Sequence, residues 1–115
     1  MMYSPGDIVL ANFSGAIGTK RRPTVVISSI EYHRYRPDLI LGVLTTQIAK
    51  ASAPTDYVLQ DWAASGLDFP CAFRSYLGTL LASNVEYIGH CSERDWREIQ
   101  ERLSRALALQ EGARS

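Results

Sequence analysis

The sequence predicts a mainly β fold, a small and strongly bent antiparallel sheet or partly open barrel, with one helix packed on it at the C-terminal end. Short apolar runs rich in β-branched residues follow one another closely along most of the chain. Only the last stretch repeats its apolar residues at the spacing of a helix. With 115 residues, of which 46% are hydrophobic, the chain is predicted to form a single domain over residues 1–115.

Three strands are predicted in the first part of the chain. Asp7–Phe13 follows a Pro-Gly turn signal and is rich in β-branched residues. Ser14–Thr19 has two glycines and no periodicity, which predicts a mobile connection. Pro23 is expected at the first position of the next strand, which continues over Thr24–Ser29. Leu39–Thr45 is apolar almost throughout and is predicted to be an interior strand.

The remaining segments before the helix are shorter. Glu31–Asp38 breaks the apolar pattern and ends at a Pro-Asp turn, which predicts a connecting loop. Asp56–Leu59 predicts a short strand, and Gln60–Gly66 a single helical turn stopped by its glycine. Phe73–Leu81 and Val85–Ile88 are the last two predicted strands.

The final element is predicted to be a helix that lies on the sheet. Ser92 is the expected N-cap, and acidic residues follow it in the first turn. One apolar stripe then recurs at helical spacing, formed by Trp96, Ile99, Leu103, Ala106, Leu107 and Gln110. Both tryptophans, Trp62 and Trp96, are predicted to belong to the core, and His90 to an exposed turn.

Composition limits the classes of function. The formal net charge is +0, so an electrostatic binding surface has to come from how the charges are arranged. Up to Lys50 the chain holds six Lys and Arg against three Asp and Glu. No apolar run approaches a membrane span and no secretory signal is evident, so we expect a soluble, cytoplasmic protein. Cys71 and Cys91 lack metal-ligand spacing with either histidine, and we expect no metal and no cofactor.

One cluster of charge stands out, because Lys20-Arg21-Arg22 precedes Pro23 and a predicted buried strand. With Gly6-Asp7-Ile8-Val9 before it and Leu44-Thr45-Thr46-Gln47 after it, the chain resembles the MazF/PemK family of toxin endoribonucleases. The similarity continues through Asp56-Tyr57, Gly66-Leu67, Phe73-Arg74, Thr79 and Ile88-Gly89, and therefore spans nearly the whole chain.

This resemblance implies an SH3-like small barrel of the PemK/MazF type, usually a homodimer. It implies metal-independent cleavage of single-stranded RNA, and a cognate antitoxin whose acidic, extended tail covers the RNA groove. Arg22 and Thr45 match the family's active-site positions. Some relatives have an acidic residue in the loop before the arginine, whereas Ser14–Thr19 contains none, so the general base stays open.

The residue types suit this chemistry. When the 2′-hydroxyl of RNA attacks the adjacent phosphate, the substrate supplies the nucleophile, and the protein has to stabilise charge and move protons. Arg22 offers a permanently charged, planar fork of donors to two phosphoryl oxygens. Thr45 offers a hydroxyl to a non-bridging oxygen. His33 titrates near neutrality and is a candidate base, although nothing in the sequence places it near Arg22.

Several further residues are candidates for RNA binding. Lys20 and Arg21 are candidates for positioning phosphates, and Thr46 and Gln47 adjoin the predicted catalytic threonine. Tyr32 and Arg34 lie in Tyr32-His33-Arg34-Tyr35-Arg36, where aromatic and basic residues alternate as in platforms that bind single strands. An ordinary connecting loop explains that segment equally well.

Two alternatives remain open at this point. A related barrel of the CcdB type inhibits DNA gyrase through its final helix, which makes a gyrase-inhibiting or other non-catalytic interaction module the main rival. A member that has lost catalysis and only binds an antitoxin or nucleic acid is the second. The combination of Arg22-Pro23 with Thr45-Thr46-Gln47 favours the nuclease.

Overall fold

The computed structural model describes residues 2–15 and 18–109, and within them it contains six strands and two α-helices. In chain order these are β1 (Asp7–Gly15), β2 (Gly18–Val26), α1 (Ile30–Tyr35), β3 (Asp38–Thr45), β4 (Tyr57–Val58), β5 (Ala72–Leu81), β6 (Glu86–His90) and α2 (Glu93–Ala106). Short 3-10 turns, Ile48–Lys50 and Ala82–Asn84, follow β3 and β5. The predicted mainly β fold with a C-terminal helix is confirmed.

All six strands form one curled antiparallel sheet in the order β4-β5-β3-β2-β1-β6. The predicted interior position of β3 is confirmed, because β3 pairs with β2 on one side and with β5 on the other. A strand with neighbours on both edges and packing on both faces has to be apolar nearly throughout, and β3 meets that requirement.

The sheet separates two hydrophobic cores. Neighbouring residues of one strand point to opposite faces, so Ile8 and Val25 belong to one core while Val9 and Val26 belong to the other. The first core also contains Ile99 of α2 and therefore lies between the sheet and that helix. This packing fixes α2 on one face of the sheet.

The hairpin between β1 and β2 is longer than the sequence predicts. The mobile connection predicted over Ser14–Thr19 is wrong for the described residues, since β1 runs to Gly15, β2 resumes at Gly18, and these two glycines pair. Residues 16 and 17 lie outside the described ranges. Pro23 is also inside β2 rather than at its start, opposite Leu10 of β1. β3 pairs with β2 only from Thr24 onward, so Pro23 occupies a stretch with a single neighbouring strand, where proline is tolerated.

The segment predicted as a loop between β2 and β3 contains the short helix α1. Ser29 caps it, with its hydroxyl oxygen accepting a hydrogen bond from the backbone N–H of Tyr32 at 3.1 Å. The helix has six residues and none of them is buried. A helix of this length without a buried face carries no periodic apolar signal, which is why the pattern did not reveal it.

Helix α2 begins as predicted and ends earlier than its apolar stripe. The Ser92 cap is confirmed, because its side chain accepts a hydrogen bond from the N–H of Asp95 at 3.2 Å. Ile99 is buried, and Trp96 and Leu103 pack against the same core. The last described stripe residues, Ala106 and Leu107, are exposed, and Gln110 lies outside the described residues. Trp62 also packs against this core, as predicted.

A buried carboxylate joins α2 to the segment after β4. Asp95 is 0% exposed and accepts hydrogen bonds from the hydroxyl of Tyr57 (2.6 Å) and from the backbone N–H groups of Gln60 (3.0 Å) and Asp61 (2.8 Å). Burial, followed by the hydrogen bond to Asp95, raises the pKa of Tyr57 to about 12. We call the residues Tyr57, Gln60, Asp61, Ser92, Arg94 and Asp95 the carboxylate hub.

Asp61 is the second carboxylate of the hub, and its side chain is bound by residues of the first turn of α2 and its cap. Its carboxylate accepts from the Ser92 hydroxyl at 2.6 Å and from Arg94 through Nε at 2.8 Å and Nη2 at 2.9 Å. The guanidinium of Arg94 and then the hydroxyl of Ser92 lower the pKa of Asp61 to about 2. The turn after β4 is therefore joined to the start of α2 by hydrogen bonds to two carboxylates, that of Asp95 in the helix and that of Asp61 in the turn.

His90 contacts an aspartate, and the two cysteines are buried in the core. His90 is exposed, as expected, but it is the last residue of β6 and not part of a turn, with Nδ1 2.7 Å from Oδ1 of Asp7. Cys71 and Cys91 are free and buried in the core beneath α2. Burial raises the pKa of both thiols, that of Cys91 to about 12.

Candidate active site

An open groove of about 950 Å³ runs across the central strands β2, β3 and β5. Its remaining wall comes from the segment between β3 and β4. Of the residues predicted to contact RNA or to catalyse its cleavage, this groove contains six: Lys20, Arg21, Arg22, Thr45, Thr46 and Gln47. Residues from two separate stretches of the chain therefore meet in one concave surface.

The strand register explains why Arg22 and Thr45 meet there. The β2–β3 pairing ends with Thr24 opposite Val43. Continued by two residues on each strand, the same register sets Arg22 opposite Thr45. Because the ladder has already ended at Thr24, the space between these two residues opens into the groove rather than being closed by strand pairing.

The hydroxyl of Thr45 has a defined orientation. Its oxygen accepts a hydrogen bond from the backbone N–H of Gln47 at 3.1 Å, in a tight turn at the end of β3. The oxygen is therefore occupied as an acceptor toward Gln47, and its own proton remains available to another acceptor. Thr45 can donate this proton to an anionic oxygen in the groove.

The cations of the groove differ in how the protein pairs them. Within the described residues, neither Lys20 nor Arg22 forms an ion pair, whereas Arg21 pairs with Glu86 at 2.8 Å. Arg74 lies 3.7 Å from the carboxylate of Asp56 through its Nε. In the same part of the chain, the Nε of Arg22 is the one buried side-chain nitrogen or oxygen without a hydrogen-bond partner. The groove thus holds unbalanced positive charge although the whole chain is neutral.

Sequence reasoning missed the contribution of β5 and of the turn before β4. Arg74, Ser75 and Tyr76 line the groove, as do Thr55 and Asp56. A signal for them existed, because Arg74 and Tyr76 interrupt the apolar pattern of the predicted strand at alternate positions. The pattern could not show on which side of the sheet these two side chains would lie.

The aromatic and basic segment of α1 lies away from this groove. Tyr32 donates its hydroxyl proton to Asp38 at 2.6 Å, the guanidinium of Arg36 lies 5.7 Å from its ring centre, and Arg34 is exposed. Neither Tyr32 nor Arg34 lines the groove, so their role in RNA binding stays a prediction that the groove itself does not support.

His33 is also separate from Arg22. Its Nε2 is 2.6 Å from the hydroxyl of Ser28, and its Nδ1 is 2.9 Å from the backbone carbonyl of Tyr3. These contacts use both ring nitrogens and connect α1 to the N-terminal segment. His33 lines a different cavity, of about 350 Å³, which does not include Arg22 or Thr45.

Two other features, a helix that could cross a membrane and a cluster of metal ligands, are absent from the described part of the chain. None of its helices has the length and apolar character that a membrane crossing requires. The described residues also contain no group of three or more His, Cys, Asp or Glu arranged to hold a metal ion.

Comparison with known proteins connects this geometry to a family. Residues 4–107 match the profile of the PemK-like, MazF-like toxins of type II toxin-antitoxin systems. A segment of 58 residues is 34% identical to Endoribonuclease EndoA of Bacillus subtilis (strain 168), and it spans 48% of this chain and 50% of that relative.

Solved structures share the fold at low sequence identity. An endoribonuclease in complex with its cognate antitoxin from a mycobacterial species superposes with a TM-score of 0.76 at 19% identity, covering 95% of this chain and 98% of that chain. MazF from Deinococcus radiodurans gives 0.75 at 18% identity, covering 95% and 99%. The Mycobacterium tuberculosis toxin MazF-mt6 gives 0.72 at 18% identity, covering 91% and 99%.

Proposed function

Because this chain belongs to the family of PemK-like, MazF-like toxins of type II toxin-antitoxin systems, we propose that it is an endoribonuclease that cuts single-stranded RNA, including mRNA in the cytoplasm, in the groove formed by β2, β3 and β5. The observation that carries this proposal is that Arg22 and Thr45 line one groove with unbalanced positive charge. The names of the relatives, which include Endoribonuclease EndoA, agree with it.

The reaction uses the substrate's own nucleophile. The 2′-hydroxyl loses its proton and attacks the adjacent phosphorus, the bond from phosphorus to the 5′-oxygen breaks, and that oxygen takes up a proton. The products are a 2′,3′-cyclic phosphate and a 5′-hydroxyl end. The protein has to hold the strand in line and stabilise the negative charge that develops on the phosphoryl oxygens. A permanently charged donor meets the second need without a metal ion.

Arg22 is proposed to supply that donor. Its guanidinium makes no ion pair with the described residues, so none of its charge is neutralised before RNA binds. A planar fork can donate to two phosphoryl oxygens at once, and both contacts strengthen as charge develops in the transition state. Thr45 adds a third donor, since the N–H of Gln47 leaves its hydroxyl proton free for a non-bridging oxygen.

Four neighbouring residues are proposed to position the strand. Lys20 lines the groove and makes no ion pair with the described residues, and Arg21 contributes to the lining while its guanidinium pairs with Glu86. Thr46 and Gln47 follow the catalytic threonine and are exposed. Contacts of this kind set affinity and register without stabilising the transition state.

The proposed reaction is tested with a long, unstructured RNA and a matched oligonucleotide that has one 2′-deoxy nucleotide at the mapped cut. Wild-type protein should cut the RNA in the presence of a chelator, leave a 2′,3′-cyclic phosphate, and fail to cut the deoxy substrate. Thr45→Ser should keep part of the activity and Thr45→Ala should lose most of it. Cleavage of the deoxy substrate contradicts the mechanism. Growth arrest without RNA cleavage would support the gyrase-inhibiting alternative instead.

Two protein partners are part of the proposal. An acidic, extended segment of a cognate antitoxin complements the positive charge of Lys20 and Arg22 in the groove. A solved structure of the same fold is described as an endoribonuclease in complex with its cognate antitoxin. A homodimer is proposed from the family resemblance. Light scattering should give twice the chain mass, and the antitoxin should compete with RNA. A monomer at micromolar concentration, or an antitoxin that binds without protecting RNA, contradicts the respective part.

A further inference from the structure

Strand β5 departs from regular pairing where it borders the groove. Gly42 of β3 pairs with Leu77 of β5, and Leu44 pairs with Phe73. One residue of β3, Val43, therefore lies opposite three residues of β5, Arg74, Ser75 and Tyr76. A bulge of this kind bends a strand and redirects its side chains, and bulges are frequent beside active sites. We call Arg74–Tyr76 the β5 bulge.

The bulge is attached to the turn before β4. The hydroxyl of Ser75 donates to the backbone carbonyl of Thr55 at 2.8 Å, and Nε of Arg74 lies 3.7 Å from Oδ1 of Asp56. The other carboxylate oxygen of Asp56 accepts from the N–H of Ala53 at 3.0 Å, and its side chain is 5% exposed. Two polar contacts thus hold the bulge against a turn that is itself closed.

The ring of Tyr76 has a fixed support. The side chain of Phe13 packs over Gly78, where an added Cβ would lie 2.8 Å from its ring, and Phe13 is almost fully buried. The rings of Phe13 and Tyr76 meet edge to face, with centroids 6.0 Å apart and an interplanar angle of 80°. Tyr76 nevertheless stays 51% exposed in the lining of the groove.

An exposed, braced aromatic ring among cations is the arrangement that binds unpaired bases. Bases of single-stranded RNA stack on aromatic side chains while the phosphates between them pair with Arg and Lys. Tyr57 shows the opposite case, because it is 8% exposed and packs in the core beneath α2. The core accounts for the position of Tyr57, whereas half of the Tyr76 side chain stays exposed to solvent.

We propose that Tyr76 stacks on one base of the RNA held in the groove, and that the β5 bulge positions it there with Arg74 beside the adjoining phosphate. The inference rests on the proposed nuclease function, and it assigns to this chain a base subsite that neither Arg22 nor Thr45 supplies. Because every base presents a ring face, this contact sets affinity and the placement of the strand more than the identity of the base.

Binding is tested separately from cleavage with an uncleavable strand. The probes are an all-deoxy twelve-nucleotide strand and the same strand with abasic sites, added to a Tyr76→Trp variant. The base-bearing strand should quench the introduced indole, and the abasic strand should bind without quenching it. A Tyr87→Trp variant is the matched control, since Tyr87 is 46% exposed on β6 and does not line the groove. Equal quenching in both variants, or none in Tyr76→Trp, overturns the proposal.

Cleavage of RNA provides the second measurement. Tyr76→Phe keeps the ring and should cut like wild type, whereas Tyr76→Leu should raise KM by roughly tenfold to a hundredfold with a smaller change in kcat. Tyr87→Leu should match wild type. If wild type cuts RNA and Tyr76→Leu keeps its KM, stacking fails and the nuclease assignment stands. If wild type cuts no RNA while the strand still quenches Tyr76→Trp, the nuclease assignment fails and stacking stands.

Discussion

The groove and the carboxylate hub differ in how their charged side chains are paired. In the hub, the buried carboxylate of Asp95 accepts three hydrogen bonds from other residues, and Asp61 is bound by Arg94 and Ser92. In the groove, Arg22 makes no ion pair with the described residues, and its buried Nε has no hydrogen-bond partner. One region satisfies its charges within the fold, and the other leaves donors for a ligand.

Because of this difference, we expect the hub to contribute to stability and the groove to contribute to activity. A buried charge is tolerated when its hydrogen-bonding capacity is filled, so the hub can join α2 to the turn after β4 without leaving the carboxylate of Asp95 unpaired. An unfilled donor destabilises the free protein slightly and becomes useful only when an anion arrives. We therefore expect substitutions in the hub to change folding, and substitutions in the groove to change activity while the fold persists.

The largest effect is expected for Asp95→Ala. It removes a fully buried acceptor and leaves three donors, among them the buried hydroxyl of Tyr57, without their partner. Losing one side of such a network destabilises by about 3–5 kcal/mol. Urea unfolding should show this loss, and Asp95→Asn, which keeps the shape and one acceptor oxygen, should lose less. Glu93→Ala, on the exposed side of the same helical turn, should change stability by no more than about 0.5 kcal/mol. Equal stability of Asp95→Ala and Glu93→Ala would contradict a structural role for the hub.

Arg22→Ala is expected to affect activity most strongly. Removing a well-placed donor from a catalytic site costs about 3–4 kcal/mol, or ~10²–10³ in kcat. Arg22→Lys should recover little, because an ammonium cannot provide the planar fork. The free energy of unfolding, measured by thermal denaturation, should change by less than about 1 kcal/mol, since no hydrogen bond of Nε is lost. Wild-type cleavage by Arg22→Ala would mean that the cations of β2 form only a solvated surface.

Acid should weaken the hub through Asp61. Its pKa is about 2 in the folded protein and near the ordinary value of 3.8 when unfolded. Because the folded pKa is lowered, the contribution of Asp61 is complete above pH 3.8 and is lost as the pH falls through about 2. Asp61→Asn should be less stable at pH 7 and should lose less further stability between pH 4 and pH 2. Parallel stability curves for the two proteins would contradict this linkage.

The smallest effect is expected at the exposed pair of Arg21 and Glu86. Breaking a surface ion pair of this kind changes stability by about 0.2–1 kcal/mol. Arg21→Ala should weaken binding of a deoxy strand and reduce its salt slope by about 1. Glu86→Gln removes the competitor of the phosphates, so it should strengthen binding at low salt. Identical salt slopes for wild type and both variants would show that Arg21 does not contact the strand.

Much of the fold could be predicted because its signals are local. The apolar, β-branched run of β1 and the nearly continuous apolar run of β3 indicate packed strands, and Ser92 marks the start of α2. Two features were not predicted: the pairing of Ser14 with Thr19 and of Gly15 with Gly18, and the helix α1. In the first, pairing across strands overrides the preference of glycines for loops, and in the second the helix has no buried face.

The candidate site also contains some residues that could be predicted from the sequence and others that could not. Arg22 and Thr45 were identified from residues around them in the chain and from the family they resemble, and both line the same groove. The β5 bulge, the turn at Asp56 and the hub of Asp95 carry no comparable local signal. Each depends on residues far apart in sequence, such as Tyr57 with Asp95 and Phe13 with Tyr76.

The mainly β class, the capped terminal helix and the cationic segment before a buried strand could all be predicted from the order of residues along the chain. The folded chain was needed to show which cations of the groove make no ion pair with the described residues, that Tyr76 borders the groove, and that Tyr32, His33 and Arg34 lie elsewhere. The physical reason is that periodicity and capping depend on neighbours along the chain. The pairing of a charge, or the redirection of a side chain by a bulge, depends on which strands lie side by side.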